Sequence, residues 1–299
     1  MQTHDGRIRL SYSALSLFHT CERKFQLERL LEGAPEKRDY PATVLGKAYG
    51  EGIATYLSTG CAELSLFATY MAYTPVIEDN ARTETVALNL VTASIPQLDT
   101  LLLDWEVAIF NGKPAVELSF CLEIDDKFYY VGYIDVVLRN KWNGKYAILE
   151  NKTTSLKLYD ISCLYANSGQ ALGYSIVLDA IAGEENSEYE VIYCAAQLGS
   201  GNGYEPKINI LPFKKTLSDR LNWFITLQMD VNRLTEMLSI NVFPMRGHNC
   251  MQYMRPCQQF GTCQLHSLDK YLPSISDEVK YDFTYQLDEV ILNHMNRIK

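Results

Sequence analysis

Val131-Gly-Tyr-Ile-Asp135-Val-Val-Leu-Arg139, a polar patch through Gly144, and then Tyr146-Ala-Ile-Leu-Glu150-Asn-Lys152-Thr-Thr154 form the stretch on which the fold turns. Apolar, β-branched and aromatic residues dominate both runs, as in strands, and Asn140 to Gly144 supplies the turn chemistry that pairs them as a hairpin. Side chains alternate along a strand, so Glu150 and Lys152 share one face and Asn151 points away. A register that sets Asp135 opposite gathers two carboxylates and one ammonium at one point. Hard oxygen donors there suit Mg²⁺ or Mn²⁺, and the lysine is placed to orient or activate a water attacking phosphorus. A lone Glu-x-Lys is also what a surface ion pair on an exposed strand looks like, so its neighbours decide the reading.

The chain has 299 residues, 47% of them hydrophobic, enough for one large domain or two small ones with a packed core. No apolar run is long enough to span a membrane, and the first residues carry no signal-peptide pattern, so the expectation is a cytoplasmic protein with no membrane partner. Thiols stay reduced there, so the eight cysteines are expected as core residues or metal ligands rather than disulfides. A net charge of −9 argues against coating nucleic acid by bulk electrostatics. A local basic rim can still guide a phosphate chain to a carboxylate centre, and Arg23, Lys24, Lys145, Lys157, Lys214 and Lys215 are its candidates.

Ser11-Tyr-Ser13 opens a capped helix expected to run to Leu31, with Gly33 as its stop. A second helix is expected over about 44–57, and helical text continues with breaks near Gly60 and Pro75 to about Phe110. Strands follow at about 115–124, 127–139 and 145–152, then a helix over 170–181, strands at 189–197 and 208–213, and a long helix over 216–240. This order predicts an α/β fold with a mixed central sheet flanked by helices, a helical N-terminal region and a cysteine-bearing C-terminal segment. The expected organisation is one domain over 1–265 with a helical insertion at about 55–110, followed by a helical tail over 266–299.

Cys250, Cys257 and Cys263 share a loop rich in Gly, Pro and polar residues, where three thiolates can turn inward. A tetrahedral site needs a fourth ligand, and either a nearby histidine (His248 or His266) or Cys21 could supply it. Spacing alone leaves structural Zn²⁺ and a [4Fe-4S] cluster both open. Cys61, Cys121, Cys163 and Cys194 lie in or beside apolar runs and read as buried small residues.

Taken in order, these pieces resemble the PD-(D/E)XK nucleases of the RecB-like type, especially the iron-sulfur branch that includes the CRISPR-associated adaptation exonuclease. Ser11-Tyr-Ser13-Ala-Leu through Cys21-Glu-Arg-Lys-Phe25 looks like the helix that donates one cluster cysteine. Leu45-Gly46-Lys47-Ala48-Tyr49-Gly50-Glu51 looks like the next motif, and Glu117 stands where such chains often have a glutamate. Gly132-Tyr-Ile-Asp135, Glu150-Asn-Lys152 and Gln170-Ala-Leu-Gly-Tyr174 match the motifs that follow. The resemblance spans residues 11 to about 265.

The resemblance implies a restriction-endonuclease-like sheet and a Mg²⁺- or Mn²⁺-dependent deoxyribonuclease, an exonuclease acting on single-stranded or end-frayed DNA in repair, recombination, CRISPR adaptation or phage DNA processing. It implies Asp135, Glu150 and Lys152 as catalytic residues, with Asp135, Glu150 and the Asn151 main-chain carbonyl on the metal. Cys21, Cys250, Cys257 and Cys263 would hold the [4Fe-4S] cluster, clamping the N-terminal helix to residues 244–265, and Gln170 and Tyr174 would contact the substrate backbone or the active lysine. A helicase, a recombinase or a CRISPR adaptation protein is the partner it implies. Two features depart: Gly50 stands where such chains usually carry a histidine ligand, leaving Glu51 or water to substitute, and the first metal motif lacks the proline of the family's name. The alternative is therefore a catalytically degenerate nuclease fold that binds DNA or a partner.

Overall fold

The computed structural model describes residues 2–3, 6–31, 40–75, 77–182, 186–199, 205–252, 255–263, 273, 275 and 278–287. The main strands are β1 (Ile8–Leu10), β2 (Trp105–Val107), β3 (Val116–Glu123), β4 (Phe128–Asn140), β5 (Tyr146–Thr154), β6 (Glu188–Gln197), β7 (Lys207–Thr216) and β8 (Phe283–Gln286). The main helices are α1 (Tyr12–Thr20), α2 (Pro41–Thr59), α3 (Ala62–Ala72), α4 (Glu84–Leu101), α5 (Leu158–Ala166), α6 (Gly169–Ala182) and α7 (Leu217–Ile240). The chain divides into two compact units, one of residues 1–37, 119–132 and 221–299, the other of residues 38–118 and 133–220.

The second unit carries the hairpin. β4 pairs antiparallel with β5, β5 parallel with β6, and β6 antiparallel with β7, so the sheet is mixed as expected. A parallel pair needs a crossover, and α5 with α6 supplies it between β5 and β6. One sheet face packs Val136, Leu138, Ala147, Leu149, Ile192 and Cys194 against Leu45, Tyr49, Ile53, Leu90 and Val91 of α2 and α4. On the other face Leu158 and Ile161 of α5 meet Ala195. Residues of even and odd number on β6 thus meet different helices, as strand alternation requires.

Helix α2 needs a glycine at one point in this packing. A Cβ on Gly52 would fall far inside contact distance of Thr69 Oγ1 and 2.8 Å from Val91 Cγ2. Ser65 Oγ also donates to the Gly52 carbonyl at 2.7 Å. Gly52→Ala is therefore expected to cost about 1–3 kcal/mol despite the better helix propensity of alanine, because overpacking outweighs it. Chemical denaturation measures this; an unchanged midpoint would contradict the close α2–α3–α4 packing.

In the first unit β1 runs parallel to the start of β4, with Ile8 opposite Phe128, and β8 runs parallel to the end of β3, with Phe283 opposite Phe120. Asp282 fixes the start of β8 by accepting from the Ser119 amide at 2.9 Å and from its hydroxyl at 2.5 Å. The residues of 266–299 that are described thus include a strand where a helical tail was expected; alternating Phe283 and Tyr285 suit a strand.

Other expectations also need correction. The first helix does not run unbroken to Leu31: Ser11 caps it, but Cys21 adopts an extended backbone, and Glu22–Phe25 restarts the helix before a π-helical turn at Gln26–Leu30. Its expected stop, Gly33, lies outside the described residues. The helical insertion ends at Leu101, and Trp105–Val107 forms β2 against β4. Cys121 and Cys194 are buried, but Cys163 is exposed and Cys61 only half-buried. Leu158 and Ile161 set the inward stripe of α5, and Cys163 falls outside it.

Candidate active site

The ladder between β4 and β5 stops where the chemistry begins. Its last regular pair is Val136 with Leu149. The Asn151 amide instead donates to Asp135 Oδ2 at 2.7 Å, so the aspartate side chain replaces a strand partner and is fixed beside Glu150. Glu150 is 2% exposed and lies in register with Tyr193 of β6. Its Oε1 is 2.6 Å from Lys152 Nζ in an ion pair, while Oε2 has no hydrogen-bond partner among the described residues. The expected convergence of Asp135, Glu150 and Lys152 is therefore what the hairpin delivers.

From α6, Gln170 closes the arrangement. Lys152 Nζ donates to Gln170 Oε1 at 3.1 Å, and Gln170 Nε2 donates to the Tyr174 hydroxyl at 3.1 Å. Residues four apart on a helix share a face, which brings both side chains to the lysine. Gln170 thus links Lys152 to the Tyr174 hydroxyl.

The electrostatics follow from burying this much charge. Desolvation, and then the Asp135 charge, push the Glu150 carboxyl up to about 7 against the pull of Lys152. Asp135 is raised by desolvation, opposed by Lys152 and the Asn151 hydrogen bonds. Burial alone would lower the Lys152 ammonium, but Glu150 and Asp135 outweigh it and raise it. With both carboxylates beside it the ammonium form is the favoured one, which suits charge stabilisation and water orientation.

A divalent ion fits this donor set. It would relieve two acids that burial forces towards neutrality, and it would satisfy the orphaned Glu150 oxygen. No group of three or more His, Cys, Asp or Glu among the described residues is arranged to cage a metal by side chains alone. Mg²⁺ and Mn²⁺ do not require one, since they keep waters and take only one or two carboxylates. Asp135, Glu150 and the Asn151 carbonyl would hold the ion, which would polarise the phosphoryl oxygen and acidify a bound water.

Beneath the site, Tyr49 reaches from α2 to β6. Its hydroxyl lies 2.9 Å from Ser94 Oγ and 3.4 Å from Cys194 Sγ, and Cys194 is in register with Asn151. This buried contact locks α2 against β6, the strand that pairs with β5. The sequence offered no signal for it, because a tyrosine on an apolar helix stripe reads as plain core. Glu51 is exposed on α2, and its charge is felt by Glu117.

The basic rim is largely spent on structure. Lys215 is 2% exposed and donates to the Ala166 carbonyl at the end of α5, so it cannot meet a phosphate. Lys214 pairs with Glu188 at 2.8 Å and Lys24 with Glu28 at 3.8 Å, while Arg23 binds Gln26 at 2.7 Å. Lys145 and Lys157 remain exposed.

The cysteine region belongs to the first unit. Buried Glu22 receives Arg246 at 2.6 Å and 2.8 Å and also pairs with Arg233, tying the N-terminal helices to the 244–263 segment. Asn249 donates to the Thr20 carbonyl, and the Arg23 amide to the Pro244 carbonyl at 3.1 Å. The Cys263 thiol is raised by desolvation first, with Cys21 and Cys250 adding to the shift, so these three share one neighbourhood. The Cys257 amide donates to the Cys250 carbonyl at 2.7 Å. The thiols do not meet as a ligand group among the described residues, and the clamp that is visible is an Arg–Glu one. His266, the other histidine considered, lies outside those residues.

No described helix is long and apolar enough to cross a membrane. A search of curated proteins finds no match. The family model of the PD-(D/E)XK nuclease superfamily matches residues 9–264, a span that holds Asp135, Glu150 and Lys152 at the end of the broken ladder. The chain belongs to the PD-(D/E)XK nuclease superfamily.

Proposed function

We propose that this protein is a Mg²⁺- or Mn²⁺-dependent deoxyribonuclease, an exonuclease that shortens single-stranded or end-frayed DNA in repair, recombination, CRISPR adaptation or phage DNA processing. The observation that carries it is Glu150: a buried carboxylate beside Asp135, with one oxygen on Lys152 and the other unbonded. A decayed site has no reason to keep such a group, because an unsatisfied buried carboxylate is destabilising unless something binds it. In this reading Asp135, Glu150 and the Asn151 carbonyl hold the ion, Lys152 stabilises charge developing on phosphorus, and Gln170 and Tyr174 keep Lys152 in place.

The protein acts in the cytoplasm, beside a helicase, a recombinase or a CRISPR adaptation protein that supplies the DNA end. The RecB-like reading also gives Cys21, Cys250, Cys257 and Cys263 a structural [4Fe-4S] cluster, with Zn²⁺ as the alternative. Iron, zinc and sulfide analysis of anaerobically purified protein distinguishes the two.

End-labelled linear and circular single-stranded DNA, incubated with Mg²⁺ or Mn²⁺, test the activity. Progressive shortening of the linear strand with the circle spared is the expected result. Binding without cleavage under both metals would favour the degenerate alternative.

A further inference from the structure

Helix α5 is seated on the sheet face that carries Glu150 and Lys152. These two residues of β5 lie in register with Tyr193 and Ala195 of β6, and paired residues of neighbouring strands share a face. Leu158 and Ile161 of α5 pack on Ala195, and the Tyr165 ring stacks on Tyr193 with centroids 4.4 Å apart and planes 9° from parallel. Adjacent strands are about 4.8 Å apart, so α5 forms a wall one strand away from the site. The chain reaches it from Lys152 through residues 153–157.

The outward side of this wall is apolar where water would favour polar groups. Tyr159 is 91% exposed, more than any other large hydrophobic side chain among the described residues, and Leu156, just before the helix, is 58% exposed. The Leu156 amide donates to Thr154 Oγ1 at 3.0 Å, which fixes the turn that presents it. The Tyr159 carbonyl accepts from Ser162 Oγ at 3.1 Å, but its ring and hydroxyl have no partner among the described residues. Lys157 stands between the two, exposed and without an ion pair among those residues, even to Asp160, the acid of the first turn. A stacked base with its phosphate matches an aromatic ring beside an ammonium. A protein partner needs roughly 800 Å² on each side, and this patch falls well short of that even with the exposed Cys163 and Leu164 farther along.

Resting on the nuclease reading above, we propose that Tyr159 and Leu156 form a stacking platform for unpaired bases of the DNA strand next to the bond being cut, with Lys157 on its phosphate. Rings that take bases face to face hold single strands of any sequence, because every base has a π-face. A duplex keeps its bases stacked on one another, so the platform selects unpaired ends.

Fluorescence anisotropy of the full chain with Mg²⁺ and a labelled phosphorothioate-linked single strand, which resists hydrolysis, reads binding apart from turnover. Tyr159→Ala should weaken binding by about 5- to 100-fold, the range for losing one stacked base, with the melting temperature unchanged. Tyr159→Phe should bind as the wild type does. Lys157→Ala should lower the slope of log affinity against log salt by roughly 0.7. A strand of abasic sites should bind the wild type weakly and be insensitive to Tyr159→Ala. Wild-type affinity in both Tyr159→Ala and Leu156→Ala would overturn the platform and point to a protein as what covers this face; cleavage of an unmodified strand by the same wild-type chain would leave the nuclease reading standing. The expected losses in a chain that cleaves nothing would do the reverse, and a wild type that binds no single strand would overturn both. A lowered melting temperature in Tyr159→Ala would show a packing role and also overturn the inference.

Discussion

Asp135→Asn is expected to lower metal-dependent cleavage by at least about 10³-fold and to weaken Mn²⁺ binding in parallel, beyond the ~10²–10³-fold typical of losing one preorganised donor. Under the proposed function Asp135 has two tasks: it would offer an oxygen to the ion, and its Oδ2 accepts the Asn151 amide that ends the hairpin ladder. Asparagine keeps much of that hydrogen-bonding shape and removes the charge, so the fold should survive. Lys152→Met separates the tasks further. It should reduce turnover by about 10²–10³-fold while Mn²⁺ affinity holds or rises, because the ammonium 2.6 Å from Glu150 Oε1 competes with the cation for that carboxylate. Single-turnover cleavage beside Mn²⁺ calorimetry reads both; loss of metal binding in Lys152→Met would contradict the division of labour. Lys152→Arg should not restore the rate, since a planar fork cannot satisfy Glu150 and Gln170 as a compact ammonium does.

The second large effect is a pH dependence. Glu150 and Glu117 are pushed up to about 7 in the folded protein. A carboxyl raised on folding holds its proton where the unfolded chain has released it, so stability falls as pH rises from the ordinary carboxylate range to about 7 and then levels. A divalent ion must displace the Glu150 proton. Mn²⁺ affinity should therefore climb through the same window, and the melting-temperature gain on adding Mn²⁺ should grow from about pH 5 to about pH 7.5. Glu22 has the opposite sign. Its carboxyl is lowered by Arg246 and Arg233 despite desolvation, so the Arg–Glu clamp weakens only as pH falls into the acid range. The difference between loaded and metal-free melting curves isolates the site from that background. A gain independent of pH would mean that Glu150 is not proton-linked to the ion.

The hairpin and its acids were legible because they rest on two local rules, strand alternation and turn chemistry, which need no tertiary information. Glu150 and Lys152 are two apart on β5 and must share a face. Gln170 and Tyr174 are four apart on α6 and must do likewise. The break in the ladder at Asp135 was not legible, because nothing local tells that a side chain will replace a strand partner. Lys215 and Lys214 read alike as adjacent basic residues, yet strand alternation buries the first against α5 and leaves the second at the surface with Glu188. Glu117 could be noted from the sequence, but its left-handed backbone could not. The interruption at Cys21 inside an apolar helical stripe, and the pairing of Phe283–Gln286 with β3, likewise depend on partners distant in the chain.

A crystal soaked in Mn²⁺ and measured at the manganese absorption edge puts the central claim to the most direct test. The account predicts an anomalous peak between Asp135 and Glu150, bonded to the Asn151 carbonyl, with Lys152 Nζ moved off Glu150 Oε1. A saturated crystal with no peak there, or with manganese bound away from both carboxylates, would contradict it.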